Sequence, residues 1–318
     1  MSANPTPTRI LEPRIAVLIP CLNEEKAIVK VISDFKSQLP QAEIVVFDNA
    51  STDKTSEVSR LAGASVYHEQ RRGKGFVVQT MFEKIDADIY ILVDGDDTYP
   101  ADRVKSLMRP VLGGEADMSV GSRITGEHQS QFRWLNLLGN KFYLTAINKL
   151  FNTDLTDILS GYRCMTRSFV KGIPIFVTGF EVEVELTIKS LERGYRIVEV
   201  PVNLGSRPEG SFSKINYVRD GLLILVAIVA LFRDYKPLTF FGLSGLITVL
   251  LGFIPGVIVI YDFLVTGVYS HLFFSILSVG LVLTGGVLFS IGLILHTINR
   301  RIQELEHLIR LLVDQHHR

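Results

Sequence analysis

Cysteine is scarce in this chain. Cys21 and Cys164 are the only two in 318 residues, too few for a disulfide framework or a zinc site, so each is expected as a small buried apolar residue. Neither sign of charge is in excess: 33 basic residues balance 33 acidic ones, and nothing in that balance points to nucleic acid. The opening "MSANPTPTRILEPR" lacks an apolar core of signal-peptide length, so the start of the chain is expected in the cytosol. Two phosphate-binding fingerprints are missing as well. No G-x-G-x-x-G follows the first apolar run, which removes the main support for NAD binding, and "RRGKG" is too short for a G-x-x-x-x-G-K-[ST] loop.

Charge itself is missing from two long stretches. Pro237 to Tyr261 has no charged residue, and Leu272 to Ile298 has none apart from His296 near its end. Each exceeds the roughly 20 residues that cross a hydrocarbon core. They predict a transmembrane hairpin. Arg233 and Lys236 precede it, Arg300 and Arg301 follow it, and the connector "DFLVTGVYSH" has no Lys or Arg. Positive residues stay on the cytoplasmic side, which puts both termini there. Gly252 with Gly256, and Gly285 with Gly286, permit close helix approach. No ionisable residue lies mid-span, so the hairpin reads as an anchor and not as a transport path.

Ahead of the hairpin, strand and helix patterns alternate. "RIAVLIP", "AEIVVFDN", "ASVYHE", "DIYILVDGD" and "ADMSVGSR" read as strands. "NEEKAIVKVISDFKSQL", capped by Asn23, "STDKTSEVSRLA", opened by Ser51 or Thr52, and "GKGFVVQTMFEKI" read as helices. Such alternation predicts an α/β, Rossmann-like, mostly parallel sheet with flanking helices. Ligands of such sheets bind outside the carboxyl ends of the strands, the edge where residues 21–25, 48–53 and 94–97 fall. The last group poses a question. A buried strand runs straight into Asp94, Asp96 and Asp97, with only Gly95 among them. Like charges that close need something positive between them; a divalent cation and a solvated acidic turn are both open.

The segments "IPCLNEE", "DNASTDKT", "RRGKG" and "VDGDD", in this order and spacing, resemble the family 2 glycosyltransferases, whose fold is GT-A. With "TDILSGYRCMTR" and the hairpin that follows, the resemblance narrows to bacterial polyprenyl-phosphate hexosyltransferases. These are the bactoprenol (undecaprenyl-phosphate) glucosyltransferases and their dolichyl-phosphate mannose synthase relatives. It implies inverting, metal-dependent transfer of a hexose, glucose from UDP-glucose, to undecaprenyl or another polyprenyl phosphate at the cytoplasmic membrane face. GDP-mannose and UDP-N-acetylglucosamine remain open as donors. The expected parts are a flexible N-terminus (1–13), a cytoplasmic GT-A catalytic domain (14–211) with an interfacial helix (134–152), and a juxtamembrane interfacial helix (212–236). The hairpin (237–298, with spans 237–261 and 272–298) and a cytoplasmic C-terminal helix (299–318) follow.

The resemblance also assigns residues. Asp94-Gly95-Asp96 matches the D-x-D signature, so Asp96, with Asp94, is expected to hold Mg2+ or Mn2+ against the donor's diphosphate. Gly95 would keep that turn tight. Pro20, Asn23 and Glu24 match a segment lying against the nucleotide, and Asp48 matches the acid that contacts the base; helix capping for the first group and an Asx-turn for Asp48 are the plainer readings. Lys74 is a better phosphate ligand than Arg71 or Arg72, for which a solvated loop is the ordinary fate. Asp157 matches the proposed catalytic aspartate, with Asp94 beside it. A phosphate monoester is already mostly dianionic at neutral pH, so Asp157 is expected to orient substrate more than to remove a proton. Arg123 and Arg133 match positions that bind lipid phosphate in the dolichyl relatives, and Arg207 and Lys214 would close over the site from the membrane side.

Three further features complete the reading. Glu181, Glu183 and Glu185 in "GFEVEVELTIKSLERGY" are explained by helix solvation as well as by catalysis. The apolar "GLLILVAIVALF", residues 221–232, is too short to span and suits a helix lying at the lipid interface. Ile302, Leu305, Ile309 and Leu312 share one face of the C-terminal segment, which suggests a homo-oligomer. A processive polysaccharide synthase is disfavoured, since "QSQFRW" misplaces the Q-x-x-R-W motif ahead of Asp157. A non-catalytic, membrane-anchored sugar-nucleotide-binding scaffold has no need for Asp94, Asp96 and Asp157 together.

Overall fold

A computed structural model describes residues 13–123, 144–145, 147–149, 151–179, 181–205, 217–268 and 271–316. The chain forms two units, Met1–Ala227 and Ile228–Arg318. In the first, β1 (Ile15–Cys21), β2 (Glu43–Asp48), β3 (Ser65–His68), β4 (Ile89–Leu92), β5 (Met118–Ser122), β6 (Arg163–Thr166) and β7 (Ile197–Pro201) build one sheet. Its order is β3-β2-β1-β4-β6-β5-β7. Every neighbouring pair is parallel except those of β6, which runs antiparallel to β4 and to β5. The sheet is thus mostly parallel, with one reversed strand inside it.

Side-chain parity explains the near-continuous apolar strands. Successive residues of a strand point to opposite faces, and here both faces are covered. Val17 and Ile19 of β1, Ile44 and Val46 of β2, and Ile89 and Ile91 of β4 meet helices α1 (Ile28–Gln38) and α4 (Val104–Leu112) on one side. Ala16 and Leu18, Val45 and Phe47, and Tyr90 and Leu92 meet α3 (Lys74–Lys84), α5 (Arg167–Gly172) and α6 (Val182–Glu192) on the other. Helix α2 (Thr55–Leu61) follows β2. Cys21 and Cys164 are both buried in the first core, and burial pushes the Cys164 thiol up. The chain order reverses between β1 and β4, the place where such sheets leave a crevice beyond their strand ends.

Two helix starts differ from the sequence expectation. Helix α1 begins at Ile28 behind Ala27, not behind Asn23, and α2 begins at Thr55, not at Ser51 or Thr52. In both cases the polar side chains hydrogen-bond across to the neighbouring loop instead, as described below.

After β7, α7 (Tyr217–Tyr235) extends beyond the apolar run 221–232. In the second unit, α8 (Pro237–Thr266) and α9 (Leu272–His316) follow. Two stretches, Pro237–Thr266 and Leu272–Ile302, are long and apolar enough to cross a membrane, and few of their residues are buried, unlike a helix in a protein core. Pro237 starts α8 and Gly267, at φ 67°, ends it, each residue at its favoured end. The helices pack closely: a Cβ on Gly245 would lie 2.7 Å from the Gly285 carbonyl oxygen, and Ser278 Oγ donates to the Gly252 carbonyl at 2.8 Å. The expected separate C-terminal helix is instead the uninterrupted continuation of α9. Most of the expected interfacial helix 134–152, together with Arg133, Arg207 and Lys214, lies outside the described residues.

Candidate active site

The loops after β1 and β2 are stitched to each other. Asn23, at φ 53°, accepts from the Thr52 amide at 2.7 Å and donates its own amide to Ser51 Oγ at 2.9 Å. The Glu24 amide donates to Thr55 Oγ1 at 2.8 Å. Asn23 therefore fastens two loops and caps no helix. Pro20, next to last in β1, lies opposite Phe47. Buried Asp48 accepts from the Ser51 amide at 2.9 Å and from Ser56 Oγ, with His68 Nδ1 3.6 Å away; its carboxylate closes the Asx-type turn.

Residues 71–75 are held from two sides. Asn49 donates to the Glu69 and Arg71 carbonyls at 3.0 and 2.7 Å and accepts from the Gly73 amide at 2.8 Å. Arg71 forks onto Glu69 at 3.0 and 2.9 Å. That hydrogen bond, more than any other influence, holds the Glu69 carboxyl at about 2, below its ordinary 4.5. Across the loop, the Gly75 amide donates to the Thr178 carbonyl at 3.1 Å. A Cβ at Gly75 would stand 2.1 Å from the Val177 carbonyl oxygen, so only glycine allows this approach. The loop is a braced frame on which Arg71 and Arg72 stay exposed.

Lys74 opens α3 from that frame. Its Nζ lies 2.6 Å from Asp94 Oδ1 and 2.5 Å from Glu183 Oε1. Burial works against the ammonium charge, but Asp94 and Glu183 more than offset it and raise the Lys74 pKa. Glu183, on α6, is only 4% exposed, which overturns the solvated-helix reading. Glu185 on the same helix is buried with Lys189 at 2.7 Å and accepts from the Phe176 and Val177 amides, fixing the segment that braces Gly75.

The three aspartates after β4 are answered one by one. Asp94 meets Lys74, and Asp97, at φ 61°, meets Lys30 Nζ at 2.9 Å. Asp96, between them, accepts from the Thr98 amide and hydroxyl at 3.2 and 2.6 Å. Gly95 makes room for Cys21, whose Sγ would lie 2.6 Å from a Cβ there. Among the described residues no three His, Cys, Asp or Glu side chains gather around one point. Two carboxylates on one turn fit Mg2+ or Mn2+, which keep most of their ligands from substrate phosphate and water.

Asp157 is 2% exposed and accepts four hydrogen bonds. Arg123 gives three, from its amide at 3.1 Å, Nε at 2.7 Å and Nη2 at 2.8 Å, and the Leu159 amide gives the fourth at 3.1 Å. Burial opposes the Arg123 charge, yet Tyr99 and Asp157 hold its pKa above the ordinary arginine value. Glu199, on β7, accepts from the Thr156 and Asp157 amides at 2.9 and 2.8 Å and so sets the backbone beneath this pair. The same segment also reaches the first cluster. The Gly161 amide donates to the buried Tyr99 hydroxyl at 3.0 Å, and a Cβ at Gly161 would fall 2.6 Å from Asp94 Oδ2. Glu199, Tyr99 and Asn49 are not singled out in the sequence, and Glu183 is open there between helix solvation and catalysis.

Comparison with known proteins agrees with this architecture. The sequence pattern of Glycosyl transferase family 2 matches residues 16–173. Glycosyltransferase AglJ of Haloferax volcanii is 32% identical over 300 residues, covering 92% of this chain and 98% of that protein. A dolichyl-phosphate hexose transferase of the same organism is 31% identical over 189 residues, covering 59% of this chain and 81% of its own. Among solved structures, glucosyl-3-phosphoglycerate synthase from Mycobacterium tuberculosis in complex with UDP superimposes with a TM-score of 0.57 at 22% identity, over 69% of this chain and 80% of that one, a likeness of fold. With the GT-A fold, its carboxylate turn and a full-length relative in hand, the chain belongs to glycosyl transferase family 2.

Proposed function

We propose that the protein moves glucose from UDP-glucose to undecaprenyl phosphate, or another polyprenyl phosphate, on the cytoplasmic face of a membrane. One observation carries the reading. A half-buried arginine suited to a phosphate, Arg123, and a carboxylate turn whose Asp94 is paired with Lys74 both meet the segment 156–163, in a chain that continues into two membrane-length helices. The names of relatives support the acceptor class: one is a dolichyl-phosphate hexose transferase, another a polyprenol monophosphomannose synthase.

In this reaction a phosphate oxygen of the acceptor attacks the anomeric carbon from the side opposite the diphosphate. The carbon–oxygen bond to the diphosphate breaks, UDP departs with that electron pair, and configuration inverts. The acceptor phosphate is already anionic, so no proton has to be removed. Asp48, Pro20, Asn23 and Glu24 line the nucleotide end, and Lys74 serves the diphosphate. Arg123, with Arg133, Arg207 and Lys214 from outside the described residues, serves the acceptor phosphate. Asp157 keeps Arg123 charged and aimed. Asp96 and Asp94 would hold Mg2+ or Mn2+, which when bound neutralises charge on the leaving diphosphate. The protein's share is alignment and fixed charge. The hairpin anchors the chain with both termini cytoplasmic, and residues 299–318 join copies into a homo-oligomer.

The test is radiolabel transfer by the purified full chain to undecaprenyl phosphate. UDP-glucose, GDP-mannose and UDP-N-acetylglucosamine are each offered with Mg2+, Mn2+ or EDTA, beside Asp96→Asn. Metal-dependent label from UDP-glucose, lost in the variant, is the expected result. Label from another donor would replace the sugar, and none from any donor would favour a sugar-nucleotide-binding scaffold.

A further inference from the structure

Arg163 is, among the described residues, the largest side chain that is completely buried, at 0% exposure, and the reaction described above gives it no task. Among the described residues its hydrogen bonds all go to uncharged acceptors. Nε donates to the Ser160 carbonyl at 3.0 Å, and Nη2 to the Ile158 and Glu183 carbonyls at 3.0 and 2.9 Å. Nη1 donates to Thr187 Oγ1 at 3.0 Å and to Met118 Sδ at 3.5 Å. Burial draws its pKa down to about 10, so it stays cationic at neutral pH. A buried charge is costly to keep, and an apolar residue would fill the same space.

Apart from Met118 on β5, the acceptors fall into two groups. Ile158 and Ser160 belong to the segment that carries Asp157, and hence Arg123. Glu183 and Thr187 belong to the start of α6, whose Glu183 carboxylate holds Lys74, and hence Asp94. One rigid guanidinium therefore spans both. We propose that Arg163 is a positioning residue that sets the acceptor-phosphate half of the site, Arg123–Asp157, at its working distance from the donor half, Lys74–Asp94–Glu183. This rests on the transferase reading. The donor loop has separate supports in Asn49 and Thr178, so loss of the fork disturbs alignment more than donor binding. A misplacement of about 1 Å costs on the order of 100-fold in rate.

The experiment compares Arg163→Lys and the milder Thr187→Val with the wild-type full chain. It reads kcat for transfer to undecaprenyl phosphate, KM for the acceptor, the UDP-glucose dissociation constant by titration, and the unfolding temperature. The expected result is a fall in kcat of about 100-fold for Arg163→Lys and of several-fold for Thr187→Val, with donor and acceptor affinities within about threefold. A weakening of both affinities in step with kcat would mark a general structural role and overturn the proposal. So would wild-type kcat in Arg163→Lys. A wild-type protein that transfers nothing to polyprenyl phosphate would bring down the transferase reading, and this inference with it. Should Arg163→Lys fail to fold, the same split between kcat and affinity in Thr187→Val decides.

Discussion

A carboxylate that accepts four hydrogen bonds among the described residues, three of them from one arginine, is placed to aim that arginine. Asp157 is in that position, so Asp157→Asn is expected to lose transfer at every pH, with no recovery when the pH is raised. It is also expected to destabilise the protein by on the order of 3 kcal/mol, because Arg123 keeps its charge and loses its counter-charge in a buried place; thermal unfolding in detergent checks this. Recovery of rate at high pH would restore the role of base to Asp157. Glu69 offers a second test. Its carboxyl sits at about 2, chiefly through Arg71, against an ordinary 4.5. A depressed carboxyl stabilises the fold fully above its unfolded value, and that stability is lost as pH falls through the folded value. The unfolding-temperature gap between wild type and Glu69→Gln should therefore be full above pH 4.5 and close toward pH 2.

At the scale of elements, two glycine contacts make sharp predictions. Gly75→Ala puts a methyl against the Val177 carbonyl, which must push α3 and Lys74 away from the 174–178 segment. A loss of about 1–3 kcal/mol in stability, as for overpacking elsewhere, and a fall in transfer rate are expected together. In the hairpin, Gly245→Leu meets the backbone of Gly285, whereas a Cβ at Gly286 meets nothing within 4 Å. The first substitution should lower the unfolding temperature in micelles, and Gly286→Ala should leave it level or raise it. Legibility in the sequence follows the same physics. Strands β1, β2 and β4 are buried on both faces, so their apolar runs stand out, and parallel pairing carries the motif aspartates to one edge. Strand β6 is four residues long and starts with Arg163, and α4 contains Pro110; each draws its stability from partners distant in sequence. Glu183 stays open between solvation and catalysis for the same reason: only Lys74, more than a hundred residues earlier in the chain, decides between them.

For the whole molecule, the two apolar stretches of the second unit predict that the full chain resists extraction from membranes by alkaline carbonate. A chain ending at Tyr235 should be released by it, and fractionation by centrifugation checks both. A reporter placed in the connector around Gly267 should be reached only from outside the cell, if the arginines flanking the hairpin set its direction as expected. One feature of the sheet bears on the family at large. Strands β5 and β6 are antiparallel neighbours, with Val120 facing Arg163, so the roughly forty residues between them leave and re-enter the sheet at almost the same point. An excursion anchored this way can lengthen or shorten at little entropic cost, with the strands that present Asp48 and Asp94 left in register. Variation in length is therefore confined to the part of the excursion ahead of residue 156, because the residues after it are tied back to β5 and β7 through Ser160 and Asp157.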